Sequence, residues 1–178
     1  MGQKNVIRHR VPQIRRGAEP KIKESYLPRE GAHEPAMCNV CQSVYHHKRW
    51  YLKDDPIAVE LQKDPLPVMV CSACRKTADH FPGGVITLSG SFLADHKDQI
   101  LRLVRNQEER AKEVNPLEGV ISVKEEGETV EIHTTNEKLA QRVGKEIKRA
   151  FKGEVSYHWT HGDKFVRVEW HREGKAQE

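Results

Sequence analysis

This chain has no run of apolar residues long enough to cross a bilayer, so a membrane-spanning helix is excluded. Its N-terminus is basic but has no apolar stretch of the kind a secretory signal needs, so export by that route is not expected. It also has no G-x-S-x-G, no HExxH, and no pair of catalytic carboxylates with a basic partner. Gly83-Gly84 is not followed by Lys-Ser/Thr at the spacing of a phosphate loop. Enzyme chemistry is therefore not expected. At 37% hydrophobic and 31% charged residues, 178 residues suffice for one ordinary domain or two small ones around a limited core.

Cysteine is scarce, and its placement is the strongest signal present. All four lie in two identical pairs, Cys38-Asn39-Val40-Cys41 and Cys71-Ser72-Ala73-Cys74. Each short knuckle offers two sulfurs to one ion, and two knuckles complete the tetrahedral donor set of a structural Zn²⁺ site. A thioredoxin-like dithiol would need one pair in a βαβ setting. Four thiols arranged as ligands point to a reducing cytoplasm, because disulfide frameworks belong to secreted chains. A closed four-sulfur site leaves no place for a water. Its role is folding, worth about 10–16 kcal/mol of apparent binding in small zinc modules.

Twenty-nine residues separate Cys41 from Cys71, more than a compact four-cysteine site uses. Residues 54–66 form the excursion, with Ile57, Val59 and Leu61 in a short helix or extended loop. His46 stands at the third-ligand spacing of a zinc knuckle, but the fourth position falls on Tyr51, so His46 and His47 read as surface groups. With Lys48, Arg49 and Trp50 they make a basic and aromatic cluster, HHKRWY. Lys48 and Arg49 can meet phosphates, and Trp50 or Tyr51 can stack a base. The alternative is that Tyr45 and Trp50 fill the core of the zinc module. His80, His96 and His133 show no ligand spacing.

Charge is unevenly distributed along the chain. Residues 1–37 carry eight Lys/Arg against four Glu, residues 38–114 eleven against ten, and residues 115–178 eleven against twelve acids. The first segment, with four prolines and no periodicity, reads as a disordered basic arm. Its Arg8, Arg10, Arg15, Arg16, Lys21 and Lys23 are placed to neutralise phosphates, with counterion release as the driving force.

The expected fold class is α+β. After the arm come a zinc-ribbon-like four-cysteine module with a following helix (38–116), a ββαββ unit (117–171) and a short tail (172–178). The helix is predicted over 88–114, capped by Ser89 or Ser91, with Phe92, Leu93, Ile100, Leu103 and Val104 at the 3.6-residue period. Its last turns carry Arg105, Glu108, Glu109 and Lys112 as solvated i,i+4 pairs that extend away from the body. In the ββαββ unit the strands are predicted over 119–125, 128–134, 154–160 and 165–170, and the helix over 136–151. Tyr157 and Trp159 share a strand face with Val155, and Ser156, His158, Arg167 and Glu169 lie on the other.

The four-cysteine module, the segment LSGSFL-x₂-H-x₃-IL-x-LVRNQEER with Asn106 and Glu108, and the ββαββ unit ending in an aromatic strand together resemble a known group. The chain is similar to a bacterial family of short zinc-ribbon proteins. That family in turn resembles the front half of the NMD-three large-ribosomal-subunit export adaptors. The likeness covers about residues 38–170, and Cys38, Cys41, Cys71 and Cys74 match the family's zinc ligands. It implies binding to the ribosome or ribosomal RNA, in large-subunit assembly or an idle state, with ribosomal proteins as further partners. The adaptors carry more than one set of ligand pairs; with one set here, nuclear export is not implied.

The combined expectation is a monomeric, cytoplasmic, non-enzymatic RNA-binding protein stabilised by Zn²⁺ and docked on the ribosome. The alternative is a zinc-ribbon adaptor that holds protein partners without nucleic acid.

Overall fold

The structure is a computed structural model and describes Tyr26, residues 34–160 and residues 165–174. It is α+β, as the sequence predicts, with two sheets and four helices among the described residues. Arg8, Arg10, Arg15, Arg16, Lys21 and Lys23 all lie outside the described residues, as does the connection between the strands predicted over 154–160 and 165–170.

The first sheet is small. Strands β1 (Ala36–Cys38), β2 (Val44–His46), β3 (Arg49–Tyr51) and β4 (Val68–Met69) are arranged in the order β3-β2-β1-β4. β1, β2 and β3 pair antiparallel, and β4 joins β1 in parallel. The excursion between β3 and β4 contains α1 (Pro56–Leu61). Asp55 caps it by accepting from the Ile57 amide at 2.9 Å, and Pro56 at the first helical position loses no intrahelical bond. Ala58 is its one buried residue; Ile57 and Val59 face solvent.

The second sheet holds the main core. Its strands are β5 (Gly84–Ser89), β6 (Val120–Glu126), β7 (Thr129–Thr134), β8 (Glu154–Trp159) and β9 (Val166–His171), in the order β6-β7-β5-β9-β8. The ββαββ order expected for the C-terminal part is present as β6, β7, α4 (Glu137–Phe151), β8 and β9. Those four strands do not close a sheet by themselves, however. β5 lies between them, antiparallel to β7 and parallel to β9, and joins the two pairs into one sheet. The sheet that these strands form thus includes β5, which precedes the long helix in the chain.

That long helix, α3, runs Ser91–Val114, three residues shorter at its start than expected. Neither predicted serine caps it. Gly90 does, at φ +102, a conformation open to glycine, and a Cβ there would overlap the Arg172 carbonyl. Ser91 instead bonds Glu173. Nor do the last turns extend away. Gln107 and Ala111 are buried, and Glu108 accepts from the Val120 amide at 3.0 Å, pinning the helix to β6. Of the expected ion pairs, Glu108–Lys112 forms at 2.6 Å.

α3 and α4 cover one face of the sheet. Ile86, Leu88, Ile132, Val166, Val168 and Trp170 meet Leu93, Ile100, Val104, Leu139, Val143 and Ile147 in a single cluster. Gly84 lets α4 lie close: a Cβ there would stand 2.6 Å from the Ala140 Cβ. The other sheet face is polar, with Glu131, His133, His158, Arg167 and Glu169, as the alternation predicts.

Candidate metal centre

The two CxxC pairs reach one place by different routes. Cys38 ends β1, and the turn to β2 carries Cys41, with the Gln42 amide bonded to the Cys38 carbonyl at 2.9 Å. Gln42 has φ +63, the left-handed conformation that closes so tight a turn. The second pair does not form another such turn. It opens a helix, α2 (Ser72–Ala78), whose N-cap is Cys71 itself. The Cys71 sulfur accepts from the Cys74 amide at 3.3 Å, and the Cys38 sulfur accepts from the Cys71 amide at 3.4 Å. Backbone N–H groups directed at sulfur favour the thiolate, the form a metal needs.

All four sulfurs lie within 4.8 Å of one another. The Cys41 and Cys71 sulfurs are 3.8 Å apart, which equals the edge of a tetrahedron with metal–sulfur bonds of about 2.3 Å. The donor set therefore fits one metal ion held by Cys38, Cys41, Cys71 and Cys74. Cys38 and Cys71 are buried, Cys74 is half-buried, and Cys41 is exposed, so the centre sits just under the surface. Hydrogen bonding with Cys71, then with Ser43, holds the Cys41 thiol down to about 4. Burial pushes Cys74 up to about 12, and contact with Cys41 together with burial raises Cys71. A metal ion bound by all four sulfurs would displace the protons that remain on Cys71 and Cys74.

No histidine joins the cluster among the described residues. His46 lies on β2 with its ring 3.9 Å from that of His47, edge to face. His80 is exposed, His96 stacks on Phe92 at 3.7 Å, and His133 meets Glu131 at 2.5 Å.

The basic cluster divides. Lys48 and Arg49 are exposed on the β2–β3 hairpin, whose turn is held by Glu34 accepting from the His47 and Lys48 amides. Arg49 lies 5.4 Å over the Tyr51 ring. Trp50 points the other way. It is 9% exposed and packs with Tyr45 against Cys38 and Cys71. Of the two roles weighed for it, the fold shows the core one. Behind Arg49 a cleft of about 250 Å³ is lined by Tyr51, Asp54, Asp55, Glu113 and Val114.

Three features were not anticipated. α2 was hidden because SACRKTA has no apolar period, although a cysteine before a short polar run is a usable cap. β5 carried a legible signal, Val85-Ile86-Thr87-Leu88 between glycines, which the helix expectation partly absorbed. Tyr26, inside the basic arm, is buried against Phe81 with ring centroids 5.0 Å apart, and its hydroxyl donates to Asp79 at 2.5 Å. This ties the chain before β1 to the end of α2.

No family model, curated protein or solved structure matches this chain. No helix among the described residues is long and apolar enough to cross a membrane. The centre is thus characterised by its own geometry: a four-cysteine site that can hold a metal ion, at the junction of a hairpin and a helix.

Proposed function

We propose that this chain is a non-catalytic RNA-binding protein, organised by a Zn²⁺ ion, that docks on the ribosome. The observation that carries it is the closed four-sulfur cluster lying directly behind a hairpin that presents Lys48 and Arg49 to solvent. Four thiolates complete the coordination of zinc, so the ion supplies folding and no open position for substrate. Cys38 and Cys71 share their packing with Trp50, so the ion fixes the hairpin that carries the two cations. The arm cations Arg8, Arg10, Arg15, Arg16, Lys21 and Lys23 add to the same electrostatic reading. The ribosome as the RNA's host rests on the family resemblance given above.

Sedimentation of tagged protein through sucrose gradients tests this. Co-migration with the large subunit at low salt, weakening as salt rises, is the expected result. Absence from every ribosomal fraction at both low and moderate salt rejects it.

A protein-adaptor reading is favoured by one observation. Val40, at the tip of the first knuckle, and Val68, on edge strand β4, are each 65% exposed beside the metal centre. Partners that survive nuclease treatment, with no RNA retained, would favour it.

A further inference from the structure

The near-neutral charge of the C-terminal unit hides a segregation. Most of its acids lie on the strands and their turns, including Glu125, Glu126, Glu128, Glu131 and Glu169. Most of its cations lie on α4 or at its C-cap, with Lys124 and Arg167 on the strands. Lys138, Arg142, Lys145, Lys148 and Arg149 recur at intervals of one to four residues, and Lys152 follows as the C-cap of the helix. At 3.6 residues per turn the five helical cations fall within an arc of about 120° and run about 17 Å along the axis. Five are exposed and Arg142 is half-exposed. Glu137 and Glu146 border this ridge on either side. Arg149 pairs with Glu146 at 2.5 Å and Arg142 with Glu118 at 3.3 Å. Lys138, Lys145 and Lys148 have no ion pair among the described residues.

An aromatic side chain stands beside the ridge. Gly144 of α4 faces Tyr157 of β8, since a Cβ there would lie 3.1 Å from the Tyr157 hydroxyl. Trp159 is two residues further along the same side of that edge strand. It pairs with Val166, which pairs with Gly84, and Gly84 lies against Ala140. Trp159 is therefore level with the first turns of α4, and it is 51% exposed. Trp170 by contrast is fully buried in the core.

We propose that the outward face of α4 together with Trp159 binds a single-stranded polynucleotide, with the ridge on its phosphates and Trp159 stacking a base. This surface is separate from the Lys48–Arg49 hairpin and shares with the proposed function only the class of partner. A line of cations beside one free aromatic is the combination that single strands require. A lipid surface would need an apolar helix face to insert, and Leu139, Ala140, Val143 and Ile147 are fully buried. An acidic protein would need an apolar anchor among the cations, and the ridge itself carries none; the neighbouring aromatic, Trp159, lies on the adjacent strand β8.

The test uses the full chain and a fluorescent oligomer of about 12 uridines, read by anisotropy across a salt series. Lys145→Ala/Lys148→Ala is expected to weaken binding and to flatten the log–log salt slope by about 1.4, two phosphate contacts' worth for a single strand. Trp159→Ala is expected to weaken binding about 10-fold with the slope unchanged, as loss of a stacked base does. Unchanged circular dichroism and melting show that the variants remain folded. The thymidine oligomer reports whether the sugar matters, and a duplex of equal charge, whose bases are shielded, is expected to bind more weakly. If both variants bind like the unmodified chain, the proposal is overturned. Should affinity instead be lost only on Lys48→Ala/Arg49→Ala, the α4 surface is rejected while the hairpin reading stands. Equal displacement by polyglutamate, with Trp159→Ala silent, also overturns it in favour of an acidic protein.

Discussion

The sulfur of Cys71 accepts a hydrogen bond from the backbone amide of Cys74 at 3.3 Å. One side chain thereby caps a helix and faces the metal site. The start of α2 and the donor set are a single structural event, because the turn that satisfies the first orphan amides also brings the second sulfur round.

Removal of the metal should consequently unfold one part of the chain and spare another. Metal analysis is expected to give about one ion per chain, as a closed four-thiolate site requires. After chelation, amide exchange should accelerate across 36–78 and remain slow in β5, β7 and β9, whose core lies in a separate cluster. Cys71→Ser should reproduce that pattern. A metal-free chain with full protection of 36–78 would contradict it.

Gly84→Ala tests the close approach of α4 to the sheet. The new methyl would stand 2.6 Å from the Ala140 Cβ and 2.8 Å from the Thr134 Oγ1. Neither can move far, since both are fully buried. Overpacking of this kind costs about 1–3 kcal/mol. A drop in denaturation midpoint with unchanged m-value is the expected reading, whereas Gly127→Ala, with open space around it, should show only the backbone cost of its positive φ.

Tyr26 supplies a pH dependence. Burial, then the hydrogen bond to Asp79, pushes its phenol from 10 up to about 12. A group whose folded value is raised contributes stability that is complete below its unfolded value and is lost as pH rises through the folded one. The contact between the arm and α2 should therefore hold at pH 9 and loosen between about 10 and 12. Phenolate absorbance should show a late-titrating tyrosine that Tyr26→Phe removes. Tyr26→Phe should also cost about 1 kcal/mol at neutral pH, the net worth of one hydrogen bond.

Lys48→Ala/Arg49→Ala addresses the proposed function directly. Both side chains are exposed, so melting temperature should stay nearly constant. Affinity for ribosomal RNA should fall, and its salt slope should flatten, in the same preparation. Trp50→Ala behaves differently. It removes a core ring beside Cys38 and Cys71, and its expected cost is about 3–5 kcal/mol of stability.

The metal donors were legible because CxxC spacing is itself geometric: two sulfurs three residues apart reach one ion wherever the chain goes. The α4 core face was legible for a similar reason, since Leu139, Val143 and Ile147 recur at the helical period. Trp50 was ambiguous, because an aromatic next to cations satisfies both a stacking site and a small core. Only the pairing of Tyr45 with Trp50 across β2 and β3 turns that ring inward. Trp159 shares its strand face with Val155, which packs against the core. Being at the edge of β8 leaves half its surface in water.

By itself the sequence determined the α+β class, the four sulfurs, the α4 amphipathicity and most strand positions. Each of these rests on interactions between residues close in the chain. Tertiary structure decided that β5 is central to the second sheet, that α3 is pinned at its far end by Glu108 on Val120, and that the cations of α4 face solvent as one ridge. Those outcomes depend on partners 12 to 82 positions away, such as Glu108 with Val120 and Ser89 with His171. Local propensity carries no record of such contacts, because burial is settled only when the whole core closes.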